Sequence, residues 1–406
     1  MTTVAEIRQE GVLGIAGKPF PKSFSQELLL LLALVRVSLG TGESAEVRAL
    51  CPGANWHVFQ TCVERHRVGA FLHNRLRAEV RALLPCVITQ RLEQLWRENV
   101  QRALSRAAEL VRLVGLLQEA GIPVISLKGP LLSRELYGDI GLRFAGDIDL
   151  LVNQEDVGRA DRILRAQGGY LRRDIDFELT PLQERELIRV RREICYDRAG
   201  LRMELGWRLE LFPNSEHGTF PVVQQDLGGR KIDTFSAEAN AHYLFVHAAG
   251  HAWFRLFWLV DASILMANPE VNWREVVARA RRVQNEHLIL QGARLARELF
   301  GITVPVALRP QPSEERIVAG LAAQAKAWIS RDSAVRWQAV GFLREFLYRV
   351  RLHRSWKARL VSTRNRSVFL YGWKMVRMPD RWFRLHYLLG PFLCLYHVTA
   401  RKGRIR

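Results

Sequence analysis

The stretch Leu127–Val152, LKGPLLSRELYGDIGLRFAGDIDLLV, decides how this chain is read. The apolar run Ile122–Leu127 leads into Lys128-Gly129 and a short helix-like segment. A Gly-rich loop follows, and Asp147-Ile148-Asp149 then opens a second apolar run, Leu150-Leu151-Val152. Side chains alternate along a strand, so Asp147 and Asp149 are expected on one face and Ile148 and Leu150 on the other. Two carboxylates on one strand face repel unless a positive charge sits between them. Mg²⁺ is commonly held by one or two carboxylates together with substrate phosphates. Phosphoryl or nucleotidyl transfer is therefore the first expectation.

The rest of the chain is compatible with such a site. Its 406 residues leave room for two or three domains. With 48% apolar and 25% charged residues it reads as folded rather than disordered. The net charge of +19 implies an anionic partner (nucleotide, nucleic acid, anionic lipid or acidic polymer) without choosing among them. Cys51, Cys62, Cys86, Cys195 and Cys394 are scattered with no CxxC pair. That argues against a disulfide framework or a zinc site and fits a reducing cytoplasm. The run Leu28–Val35 is too short for a membrane span, lacks a small-residue cleavage site, and reads as a buried first helix.

Hydrophobic periodicity divides the chain. Residues 1–24 read as a leader. Residues 25–120 read as a helical region, with apolar residues three and four apart in Leu28–Val37, Trp56–Leu76 and Ile88–Leu117. Residues 121–235 alternate short apolar runs with helical ones. Ile122–Leu127, Ile148–Val152, Ile194–Asp197 and Leu201–Leu209 are expected as strands, and Glu155–Gln167 as a helix. Helical periodicity returns over 236–303, in Ala237–His251, Phe257–Met266 and Trp273–Phe300, and a Pro-rich linker then leads into a basic, aromatic-rich region, 304–406. The expected fold class is mixed α+β, with a small mixed sheet between helical regions.

At the level of motifs, the order Lys-Gly-x-x-Leu (128–132), Leu-Arg-x-x-x-Asp-x-Asp-Leu-Leu-Val (142–152) and Met-Glu-Leu-x-Trp (203–207) resembles the poorly characterised nucleotidyltransferases of the DNA polymerase β-like superfamily. His247-x-x-x-His251-x-Trp253 and Leu259-Val260-Asp261 extend the resemblance, which covers roughly residues 25–300. The resemblance implies a polymerase β-like core in which the short helix after the first strand faces a triphosphate. Lys128 and Gly129 occupy that place, where free backbone N–H groups bind anions and glycine admits a close phosphate. It also implies Asp147, Asp149 and Glu204 as ligands of Mg²⁺ or Mn²⁺, with Glu204 able to serve as general base. Strand alternation groups Glu204 with Arg202 and Gly206, away from Met203, Leu205 and Trp207. The family commonly has His where this chain has Gly206, so a gap beside Glu204 bears on acceptor choice or catalytic strength.

Several assignments stay open on sequence alone. Arg143 either clamps a phosphate or pairs with a carboxylate. Tyr137 and Asp139 read as packing and turn residues. His247 and His251 lie one helical turn apart. They are packing histidines, or with Arg255 they close over the nucleotide, or, least favoured, they ligate zinc. Asp261 orients one of these groups or caps a contact. Residues 349–406 hold fifteen Lys or Arg and one acid, Asp380, with aromatics interleaved. They bind nucleic acid, or lie on an anionic membrane as a peripheral surface helix, or form a solvated face over a packed core. The expected activity is metal-dependent transfer of NMP from an NTP to an acceptor: a small molecule, peptide, glycan or RNA. The alternatives are a nucleotide-binding scaffold with little turnover, and an RNA-binding or RNA-modifying protein.

Overall fold

The computed structural model describes residues 13–14, 18–19, 24–173, 175–209, 211, 220–330, 346–366 and 370–402. The expected leader lies almost wholly outside the described residues.

The leucine run forms helix α1 (Gln26–Ser38), started by Ser25, whose side chain accepts the N–H of Leu28. Leu30–Val35 are buried on every side, because helices α2 (Trp56–His66), α3 (Gly69–Arg75) and a later helical layer surround them. Each such leucine contributes about 1.5–3 kcal/mol through burial. Helix α4 (Cys86–Glu119) runs for 34 residues and links two hydrophobic cores. Its Ile88 and Leu92 belong to the helical core, and its Leu110, Leu113 and Leu117 belong to a second core under the sheet.

Seven strands form one mixed sheet: β1 (Val124–Ser126), β2 (Ile148–Val152), β3 (Leu171–Arg172), β4 (Glu193–Arg198), β5 (Leu201–Gly206), β6 (Val222–Leu227) and β7 (Arg230–Phe235). Their spatial order is β3-β4-β5-β2-β1-β7-β6. The central strand β2 runs antiparallel to β1 and parallel to β5. Apart from Asp149 it is apolar on both faces, because both faces are covered. Ile148, Leu150 and Val152 enter the core under the sheet, while Leu151 enters the helical core. Asp149 shares the face of Leu151, so it looks toward the helical layer. Helix α5 (Gly129–Tyr137) follows β1, α6 (Val157–Ala166) follows β2, and α7 (Pro181–Val190) precedes β4.

The helical layer comprises α8 (Ala237–Gly250), α9 (Leu256–Ala267), α10 (Trp273–Arg282), α11 (Glu286–Phe300) and α12 (Pro312–Ile329). It shares one core with α1–α3, and Arg36 of α1 donates to the Leu299 carbonyl at 2.9 Å. After α12 come α13 (Trp356–Arg366), α14 (Leu370–Met375) and α15 (Leu385–Lys402). The mixed α+β class expected from the sequence is what the structure shows.

Local differences from the sequence reading have physical causes. The periodic run Trp273–Phe300 is two helices, because Gln284 takes a left-handed φ of 59° and the Asn285 side chain turns inward to His242. Trp56–Leu76 breaks in the same way at Arg67, with φ of 58°. The strand expected over Leu201–Leu209 ends at Gly206, and that over Ile122–Leu127 spans Val124–Ser126. Helix α7 and the β6–β7 hairpin are not among the elements expected from periodicity. The sequence signal for the hairpin is the Gly228-Gly229 dipeptide, and both residues take positive φ in its two-residue turn.

Two buried imidazoles make this helical layer acid-sensitive. His242 Nε2 meets Asn285 Oδ1 at 2.8 Å, and His287 Nε2 meets the Leu352 carbonyl at 3.0 Å. Burial pulls each pKa from 6.5 down to about 4, against the opposing hydrogen bond. Between those values the unfolded chain binds protons that the folded chain refuses, so the contribution of these two histidines is flat above pH 6.5 and falls below it. Each histidine adds a slope of up to about 1.4 kcal/mol per pH unit. Thermal melts across this range check it: His242→Gln and His287→Gln are each expected to show a shallower acid dependence than the parent.

Candidate active site

The Asp147–Asp149 loop is held by a set of buried hydrogen bonds. Asn99, in the middle of α4 and facing inward, donates to the Gly141 and Arg143 carbonyls at 2.7 and 2.8 Å and accepts the Ala145 N–H at 3.0 Å. Ser133 of α5 donates to the Asp139 carbonyl at 2.7 Å and accepts the Arg143 N–H at 3.2 Å. Asp261 of α9, buried, accepts from Tyr137 Oη at 2.6 Å and from Arg143 Nε at 2.9 Å. Arg106 donates to the Gly146 carbonyl. These bonds fix the chain that enters β2.

Parallel pairing of β2 and β5 then sets Asp149 opposite Glu204 in register. Lys128, at the start of α5, places its ammonium 3.0 Å from Asp149 Oδ1 and 3.4 Å from His247 Nε2. A lysine ammonium only donates, so His247 Nε2 is the unprotonated acceptor. The next residue, Gly129, has a φ of +70°, a conformation that glycine adopts without strain. Helix α5 has no side-chain N-cap, which leaves its first N–H groups to an anion. An open cavity lies between β2, β5 and α8. Its walls include Lys128, Asp149, Glu204, Tyr243, His247 and His251.

A family model described as an uncharacterised nucleotidyltransferase matches residues 52–301, more than half of the chain. The chain belongs to this family. No curated protein and no solved structure matches it. Nucleotidyl transfer is thus its general activity, and a nucleotide its substrate class.

The electrostatics of the cavity follow from crowding. Burial alone would lower the Lys128 pKa, but Asp149, Tyr243 and Glu204 outweigh it and hold the amine charged. Glu204 is pushed well above the usual carboxylate range, first by burial and then by the Asp149 and Glu193 carboxylates, with Lys128 opposing. Asp147 is raised by burial and by Asp149, against Lys128 and Arg67. His247 is kept neutral by burial and by the neighbouring Lys128.

The expected site residues divide into three groups. Lys128, Asp149, Glu204, His247 and His251 come together in the cavity wall. Asp147 stands just ahead of β2, outside the lining, with Arg202 Nε 3.9 Å from its carboxylate. Gly129, Arg143 and Arg255 lie outside the lining. Of the two alternatives for Arg143, the pairing is realised, but with Asp261 and not with the Asp147–Asp149 pair. Arg255 packs its guanidinium over the Phe254 ring at 4.7 Å, at the start of α9. His251 stacks on Trp258 with ring centroids 5.2 Å apart.

Sequence reasoning passed over Tyr243, Arg192, Glu193 and Arg208, which also line the cavity. Tyr243 carried a signal, since it lies one helical turn before His247 on the same face. The other three carried none, because only the closed sheet brings the ends of β4 and β5 beside β2.

Among the described residues, no three His, Cys, Asp or Glu side chains already converge as a metal cage. The donor chemistry of Asp147, Asp149 and Glu204 nonetheless fits a hard divalent cation. All three offer oxygen, and the like-charge crowding that raises Asp147 and Glu204 is what a cation would relieve.

Two outcomes are expected here. Asn99→Ala strands the Gly141 and Arg143 carbonyls and the Ala145 N–H, costing about 2–4 kcal/mol in denaturant melts. Gly206→Ala is expected to fold with an unchanged melting temperature, because an added Cβ would meet Leu150 O, Leu151 Cδ1 and Arg192 O at 3.5–3.7 Å, ordinary contact distances.

Proposed function

We propose that this nucleotidyltransferase moves NMP from an NTP to an acceptor in a reaction that depends on a divalent metal. The observation that carries the reading is the register of Asp149 with Glu204, joined by the Lys128 ammonium at the uncapped start of α5. An acceptor hydroxyl, phosphate or amine would form a bond to the α-phosphorus while the bond to the β-phosphate oxygen breaks, releasing pyrophosphate. Asp147, Asp149 and Glu204 would hold Mg²⁺ or Mn²⁺, which supplies charge neutralisation at the phosphates and lowers the pKa of the attacking group. Lys128 and the α5 N-terminus bind the phosphates that leave. Neutral His247 keeps the ammonium aimed into the cavity. Glu204, once deprotonated, accepts the acceptor's proton. Arg192 and Arg208 at the rim of the cavity favour an anionic or polyhydroxylated acceptor.

A second reading, nucleotide binding with little turnover, is favoured by one feature: Lys128 lies on Asp149, one of the proposed ligands.

Pyrophosphate release and α-phosphate label transfer from each NTP, with Mg²⁺ or Mn²⁺ and cell extract as the acceptor source, separate the two. Glu204→Gln is expected to lower kcat/KM by about 10²-fold or more at unchanged melting temperature, and Asp149→Asn to lower kcat/KM as much while also lowering the melting temperature, because it strands the Lys128 ammonium. Lys128→Ala is expected to raise the KM for NTP about tenfold. NTP binding without label transfer under either metal would replace transfer by the binding reading.

A further inference from the structure

The C-terminal segment presents a surface that the cavity does not use. On its inner side it is fastened to the core under the sheet. Leu370, Trp373 and Phe383 are buried there, and Trp373 meets Phe383 edge-on at 5.2 Å. Tyr387 donates to Glu186 of α7 at 2.7 Å and accepts from Arg189, and Lys374 pairs with Asp176 at 2.8 Å. The outer side is different. Leu385, Leu388, Leu389, Phe392 and Tyr396 recur at helical spacing along one face of α15, and all are exposed, Leu388 at 69% and Phe392 at 71%. Trp382 continues the stripe, and Trp356, Leu360 and Val361 of α13 are exposed as well. Among the described residues, the exposed large aromatic side chains are Trp356, Trp382, Phe392 and Tyr396, all in this segment. Arg381, Arg384, Lys357 and Arg359, also exposed, lie in the same stretches. Among the described residues, no helix is long and apolar enough to cross a membrane.

Three kinds of partner would cover such a face, and its chemistry separates them. A second copy would set one strongly basic segment, fifteen Lys or Arg against one acid, upon another. RNA would take up the cations and the aromatic rings, but it offers nothing to the aliphatic stripe of Leu385, Leu388 and Leu389. An anionic bilayer surface satisfies both: hydrocarbon receives the aliphatic and aromatic side chains, phosphate headgroups receive the arginines and lysines, and Trp and Tyr favour the boundary. We propose that residues 370–402 dock this protein on an anionic lipid surface, with α15 lying in the plane of the interface.

Flotation of the full chain with phosphatidylcholine vesicles, with and without an equimolar share of phosphatidylglycerol, tests this. Binding is expected only to the anionic vesicles. It should weaken about tenfold or more for Leu388→Gln/Phe392→Gln, and comparably for Arg381→Glu/Arg384→Glu. All four side chains are exposed, so the variants should keep the parental melting temperature and NTP binding. Three results would overturn the proposal. One is no binding to either vesicle. Another is anionic binding that the Leu388→Gln/Phe392→Gln variant retains, which would be adsorption by charge alone. The third is a dimer in solution, or tight binding of a single-stranded RNA, that the same variant abolishes.

Discussion

Everything in the candidate site depends on one buried carboxylate. Asp261 sits on α9 in the helical layer and accepts hydrogen bonds from Tyr137 and Arg143, which belong to the α/β unit. A buried charge is tolerable only when it is paired and its lone pairs are used, and removing one partner leaves the other stranded. The three side chains are therefore held as a unit, and the loop between α5 and β2 is held with them. Asn99 and Ser133 take up the backbone groups of that loop, which would otherwise be buried without partners. The result is a rigid approach to Asp147 and Asp149, in which the arginine of the motif is spent on structure and does not face the cavity.

The cavity uses the opposite strategy. Its carboxylates are crowded and only partly compensated. Lys128 neutralises Asp149, while Glu204, beside it in register, is pressed toward its protonated form by burial and by its acidic neighbours. Such an arrangement is poor for stability and suited to receiving charge from outside, which is how perturbed groups at functional sites behave. The position of Gly206 adds room at this point. Its neighbours would tolerate a Cβ, so the missing side chain reflects the space left in the cavity and not a backbone requirement.

The fold supplies the rigidity that such a site needs. Helix α4 belongs to both cores, so the helical layer and the sheet are packed against one continuous element. The face of β2 that carries Asp149 looks toward α8, and its other face is sealed by the core below. The segment after α12 adds a cover to that lower core through Trp373 and Phe383, and leaves its outer face apolar and basic.

Much of this was legible in the chain. Alternation over Ile148–Val152 and Leu201–Gly206 placed the carboxylates on one side and Leu150, Met203 and Leu205 on the other, because strand periodicity is a local property of the backbone. Helical periodicity marked α1, α4 and α8 for the same reason. The breaks at Arg67 and Gln284 were not legible, since left-handed residues there interrupt patterns that continue across them. Nor could the sequence choose a partner for Arg143. Two carboxylates lay nearby in the chain and one lay 118 residues away, and packing brought the distant one into contact. Local chemistry in the sequence determined which residues could serve the reaction and which face each would occupy. Tertiary structure alone decided which charges met, because pairing across β2, β5, α8 and α9 is fixed by how the two cores close together.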